Sequence, residues 1–142
     1  MIGPMVGLAF FGNSSKRMLG SIGWMMALWG VGYVLVGLAP SLFLASAAVW
    51  LAHMGGGAQF TFSTYGLQDL MPDNVRGRVF ALDFAAFTLA TAVSALIVGG
   101  LAEVLSIRAL FIGLGLIAIV FGSTWTAITH SYWDDLEPSA TE

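Results

Sequence analysis

The chain has no cysteine, which removes disulfides, thiolate metal ligands and cysteine nucleophiles from consideration. Histidine is scarce as well. His53 and His130 lie far apart in different segments, an arrangement that argues against a histidine metal site. The third shortage is charge: Asp, Glu, Lys and Arg make up 9% of the sequence, against about 25% in soluble domains. A net charge of -3 without any basic stripe gives no sign of nucleic-acid binding, and none is expected. No nucleophile–base spacing, metal motif or cofactor loop is present. The sequence is therefore not read as an enzyme, and it is assigned no catalytic, cofactor-binding or metal-binding residue.

What is abundant is apolar surface, at 58% of the residues. The charges are missing from long runs: Met18 to Gln68, Phe84 to Ala102 and Ala109 to Trp133 hold none. Apolar, charge-free runs of at least ~18 residues read as membrane-spanning helices. The first run would make a helix of about 75 Å at 1.5 Å per residue, more than one crossing. Ala39-Pro40-Ser41 divides it, because proline disfavours helix at the residue before it and suits the first turn of the next helix.

The expected fold is all-α, a polytopic transmembrane bundle of four full spans plus a partial N-terminal one. The spans fall at about Met18–Leu38, Ser41–Tyr65, Val79–Ala102 and Ala109–Thr129. A loop at Gly66 to Arg78 and a turn at Glu103 to Arg108 separate the later ones. Residues 1–129 are the membrane part, and residues 130–142 form an acidic tail that is expected to be mobile. Met1–Phe11 is apolar but too short to cross a bilayer, and it lacks the basic region and Ala-x-Ala site of a signal peptide. It reads as the last half of a span, so the chain is expected to begin inside a longer protein.

Four crossings place Lys16, Arg17, Arg76, Arg78 and the tail on one face, which the positive-inside rule makes cytoplasmic. Arg108 alone lies opposite, beside Glu103. The expected location is the cell membrane, with lipid as the main solvent.

Several helix faces stand out. Ala45, Ala48, Ala52, Gly56, Gln59, Ser63 and Gly66 form a small and polar stripe, read first as helix packing and second as the wall of a substrate cavity. Gly55-Gly56-Gly57 marks close packing or a bending point. His53 lies one turn earlier. An ionisable group at that depth is a functional candidate, weighed against a neutral histidine bonded to a neighbouring helix. Asp83 shares a face with Ala86, Ala90 and Ser94, about one turn from Arg78. Pairing with a basic residue is its simpler reading, ahead of proton coupling. Thr91, Ala95 and Gly99, and likewise Ala118, Gly122 and Thr126, are small-residue packing series. The tryptophans are read as interfacial or lipid-facing.

The segment from Leu67 to Val79 carries the pattern Q-x-x-x-P-x-x-x-R-G-R-V, formed by Gln68, Pro72, Arg76, Gly77, Arg78 and Val79. It resembles the loop joining the tenth and eleventh helices of major facilitator superfamily transporters, most closely their drug- and siderophore-exporter branch. Val98-Gly99-Gly100-Leu101-Ala102-Glu103 is similar to that branch's usual helix ending. Gly3 to Gly7, followed by Gly12-Asn13-Ser14-Ser15-Lys16-Arg17, resembles the end of the eighth helix and the loop after it. Two departures stand beside these likenesses. Ser94-Ala95 occupies the region where the family has proline, and the Lys16-Arg17 loop lacks the family's acidic residue.

The resemblance implies the last five helices of a twelve-helix secondary exporter, proton-coupled and acting on a small-molecule substrate. Such a protein works by alternating access together with an N-terminal half that this sequence does not contain. It implies that Ser41–Tyr65 and Val79–Ala102 face substrate, making His53, Gln59, Ser63, Asp83 and Ser94 the candidate cavity lining. Gln68, Pro72, Arg76, Gly77 and Arg78 would form a cytoplasmic gate motif, the arginines pairing with helix ends and acidic residues rather than with substrate. Gly55, Gly56, Gly57, Gly99 and Gly100 are the candidate packing or hinge positions. The main alternative is an autonomous four-helix membrane protein that oligomerises. An embedded enzyme using His53 and Asp83 ranks last.

Overall fold

In the computed structural model, which describes residues 20–134, the chain forms four helices in the order α1 (Ile22–Leu38), α2 (Leu42–Leu70), α3 (Asp73–Leu101) and α4 (Ile107–Asp134). No strand occurs among the described residues. The all-α expectation holds. Two of the helices, Asp73–Leu101 and the Ile107–Thr129 part of α4, are each long and apolar enough to cross a membrane. Met1–Phe11, Lys16, Arg17 and the tail beyond Asp134 lie outside the described residues.

The helix boundaries follow local chemistry. α1 stops at Leu38 because Ala39, which precedes Pro40, is extended (φ -61°, ψ 125°). Ser41 then caps α2, its hydroxyl oxygen accepting from the Leu44 N–H at 3.4 Å. Pro72 opens α3 with ψ 145°, and Asp73 in the first turn complements the positive end of the helix dipole. Ser106 opens α4 by accepting from the Ala109 N–H at 3.2 Å.

The expected loop from Gly66 to Arg78 is almost entirely helical. α2 continues to Leu70, α3 begins at Asp73, and only Met71 and Pro72 interrupt them. The physical reason is that Pro72 acts as a helix starter: its missing N–H falls where a first-turn donor has no partner in any case. α4 likewise runs on past Thr129, so the tail assigned to residues 130–142 starts as helix.

α1 is the spine. It packs on α2 along one side and on α4 along the other, antiparallel to both, and the three helices form a layer. Toward α4 it presents Gly23, Gly30 and Gly37, all buried. A Cβ placed on Gly30 would lie 2.5 Å from the Gly115 carbonyl oxygen, and one on Gly37 would lie 2.8 Å from that of Arg108. Toward α2 it presents Gly32, where a Cβ would lie 2.5 Å from that of Ala52. Interior glycine costs a helix about 1 kcal/mol relative to alanine. Here the cost is offset by letting backbones approach, which drives helix association where lipid gives no hydrophobic preference between helices.

α2 answers with Ala48, Ala52, Gly55, Ala58, Phe62 and Gly66, all buried. This is the expected small-residue stripe turned slightly about the axis, since Gly56, Gln59 and Ser63 are half-buried at its margin. Phe62 is the one bulky side chain fully enclosed among the described residues, packed with Ala58 against Ile22, Met25 and Tyr65.

α3 stands apart. None of its residues is buried. The Thr91, Ala95, Gly99 series therefore meets no other helix among the described residues, and a Cβ on Gly99 or Gly100 would find nothing within 4 Å. In α4, Gly122 and Thr126 do pack, both lying against Gly23.

Candidate functional site at the joint of α2 and α3

The residues of the Q-x-x-x-P-x-x-x-R-G-R-V pattern converge on the two-residue break between α2 and α3. Gln68 lies in the last turn of α2, Pro72 is the N-cap of α3, and Arg76, Gly77 and Arg78 follow in its first turns. Helical spacing returns Arg76 over the start of its own helix. There Nη2–H donates to the Met71 carbonyl at 3.0 Å, and Nη1 pairs with Asp73 Oδ1 at 2.7 Å. One guanidinium thus ties the exposed carbonyl at the end of α2 to the first residue of α3, a task suited to its fork of five donors.

The ion pair is largely open to its surroundings, with Asp73 88% exposed, and such pairs contribute about 0–1 kcal/mol. Arg76 Nε is different. It is buried, and it finds no acceptor among the described residues. A buried donor left unpaired costs about 1–3 kcal/mol.

Beside Arg76 lies an open concavity of about 590 Å³, lined by Gln68, Asp73, Arg76, Gly77 and Phe80. Three of the expected gate residues therefore share one surface. Pro72 shapes that surface through the backbone, whereas Arg78 is exposed and makes no hydrogen bond or ion pair among the described residues. Asp73 and Phe80 were absent from the expectation. Asp73 could have been found from its i, i+3 spacing to Arg76 once a helix was assigned across the segment.

The other site candidates are dispersed. His53 is exposed on α2, with Nδ1 2.9 Å from the Val49 carbonyl oxygen. A carbonyl only accepts, so Nδ1 carries the hydrogen and Nε2 is the free nitrogen. Gln59 and Ser63 are half-buried on α2, while Asp83 and Ser94 are exposed on α3. Asp83 makes no ion pair among the described residues, and Arg78, the basic residue nearest to it in sequence, does not reach it. The reason is spacing: five residues along a helix do not bring two side chains to one face.

Several threonine hydroxyls along the helices are satisfied within their own helix. Thr61 donates to Gly57, Thr88 to Phe84, Thr91 to Phe87 and Thr126 to Gly122, each across four residues. Such bonds let polar side chains sit in an apolar solvent without a partner helix.

The glycine triplet stays inside unbroken helix. A Cβ on Gly55 would lie 2.7 Å from the Met25 carbonyl oxygen, and Gly56 faces the Trp29 ring at 3.4 Å. Trp29 is accordingly half-buried, unlike Trp24, Trp50 and Trp125, which are exposed. Its ring meets Tyr33 at 5.7 Å, and Tyr33 stacks on Phe111 of α4 at the same separation with 12° between planes. This aromatic row spans the layer from α2 to α4. A further ring pair, Phe60 and Phe87 at 6.3 Å, joins α2 to α3. No group of three or more His, Asp or Glu gathers among the described residues.

Compared with known proteins, the chain matches no family model, no curated sequence and no solved structure.

Proposed function

We propose that this chain is a membrane-embedded part of a secondary transporter, of the major facilitator kind, that exports a small molecule by alternating access. The observation that carries the reading is the joint. Within the Q-x-x-x-P-x-x-x-R-G-R-V segment Arg76 forms a clasp, engaging a helix end and an acidic residue, the behaviour expected of a gate arginine. The antiparallel order of the helices supports it, because the joint lies at the end of the layer where α1 begins and α4 finishes.

On this reading α1, α2, α3 and α4 all cross the cell membrane, with the basic residues of the joint on the cytoplasmic side. α2 and α3 border the substrate path, with His53, Gln59, Ser63, Asp83 and Ser94 as candidate contacts. The exposed surface of α3 meets lipid and a second transporter half. Coupling to a proton gradient is part of the proposal, and no cofactor is required.

The test is efflux. Cells expressing the full reading frame that encodes this segment should lose an accumulated apolar dye faster than control cells. Arg76→Ala in that frame should slow the loss. Equal dye retention with and without the frame overturns the reading. The reconstituted 142-residue chain should not transport alone, since alternating access needs two halves rocking about one site.

A second reading, an oligomer of this chain by itself, draws on the same exposed α3. The mass of the purified protein in detergent separates the two, because that reading requires a defined multimer.

A further inference from the structure

α3 touches the layer at few points. The Arg76 clasp holds its first turn, and the Phe60–Phe87 contact lies further along. Nothing buries the rest of its 29 residues. Its inclination on α2 is therefore set largely at the joint, where one of the groups doing the setting is incomplete. Arg76 Nη1 and Nη2 are engaged, yet Nε is buried without an acceptor.

Across the same concavity Gln68 is exposed, and its side chain makes no hydrogen bond among the described residues. A free amide oxygen thus lines the concavity, and beside it, beneath the guanidinium's own surface, lies an N–H without an acceptor. Gly77, next to Arg76, leaves that side of α3 unobstructed, since a Cβ there would meet nothing within 4 Å.

We propose that Arg76 is a latch with two settings. In the setting observed, Nη1 and Nη2 hold Asp73 and the Met71 carbonyl while Nε is idle. In the other, the Gln68 side-chain oxygen accepts from Nε, the concavity closes, and the angle between α2 and α3 changes while α2, α1 and α4 keep their packing. Arg76 and Gln68 are positioning residues in this device. It holds whether or not the chain exports anything.

The absence of cysteine makes the test direct. Nitroxide labels at Leu44→Cys and Leu96→Cys report the angle between α2 and α3. Labels at Val31→Cys and Ile117→Cys report α1 against α4, and all four sites are exposed. Electron–electron distances are measured on the full chain in lipid nanodiscs. The α2–α3 pair should give two populations and the α1–α4 pair one.

Gln68→Ala, at an exposed position that folding does not depend on, should remove one α2–α3 population and leave the reference pair unchanged. Arg76→Gln should broaden the α2–α3 distribution, and Arg76→Lys should not restore both populations, because lysine has no fork. An α2–α3 distribution that Gln68→Ala leaves unaltered overturns the proposal, whatever Arg76→Gln does. Should Arg76→Gln disturb the reference pair through misfolding, the Gln68→Ala comparison alone decides.

Discussion

Gly30 of α1 and Gly115 of α4 occupy the same point of their crossing. A Cβ on Gly30 would lie 2.5 Å from the Gly115 carbonyl oxygen, and a Cβ on Gly115 would lie 2.6 Å from that of Gly30. Each glycine therefore directs a Cα hydrogen at the other's carbonyl. Such paired contacts contribute about 0.5–1 kcal/mol each where helices cross closely. Gly23 and Gly122 repeat the arrangement one heptad away, at 2.6 and 2.5 Å.

Alanine at position 30 should therefore separate the two helices. We expect Gly30→Ala to lower stability by about 1–3 kcal/mol, the range for overpacking. Gly113→Ala, where nothing lies within 4 Å, should raise it by up to about 1 kcal/mol through helix propensity. Thermal unfolding in detergent, followed by circular dichroism, reads both. Equal shifts in the same direction would contradict the crossing described.

Phe62 is fully enclosed between α1 and α2, whereas Phe121 on α4 is 56% exposed. Phe62→Ala should destabilise the chain by at least about 2 kcal/mol more than Phe121→Ala, since only the former leaves a cavity. Denaturant titration of both variants checks the order.

The Tyr33–Phe111 stack should be visible as a coupling. Tyr33→Ala and Phe111→Ala together should cost less than the sum of the two alone, by about 0.5–1.5 kcal/mol. Tyr33→Phe should be nearly neutral, because the ring and not the hydroxyl makes the contact. A double-mutant cycle on thermal stability supplies the number.

The membrane reading makes a claim about sides. Asn74→Cys, next to the joint, and Glu103→Cys, after α3, lie at opposite ends of a helix long enough to cross. An impermeant maleimide added to sealed vesicles should label one of them from outside and the other only after permeabilisation. Labelling of both from one side would remove α3 as a span.

Much of this architecture was readable in the residues. The missing charges gave the helical class, and Pro40 with Ser41 gave the α1–α2 boundary to within a residue or two. The stripe on α2 was recognised as packing. The joint was misread because proline, asparagine and glycine between Pro72 and Gly77 carry the same composition as a loop. Their order, with proline first and aspartate in the first turn, is that of a helix start. Of the α1–α4 crossing only Gly122 and Thr126 were read as packing, and the repeat that makes it was missed for another reason. Its signal is glycine at intervals of seven in two distant segments, Gly23, Gly30, Gly37 and Gly115, Gly122, and either set alone is unremarkable. Of the candidate site, the gate residues came together because they are neighbours in sequence. His53, Asp83 and Ser94 did not, because no sequence pattern specifies how α3 sits against α2.

The seven-residue repeat of the α1–α4 glycines has one more consequence. A repeating interface is nearly indifferent to register: sliding α4 along α1 by one heptad, about 10.5 Å at 1.5 Å per residue, would set Gly30 opposite Gly122 and Gly37 opposite Gly115 and recover much of the same fit. Such a contact resembles a ratchet with several equivalent notches. On the opposite side of α1 the contacts are not glycine on glycine: Gly32 meets Ala52, and Gly55 meets Met25 and Trp29, so a slip there would bring unlike residues together. α1 therefore has one face that tolerates a slip and one that does not.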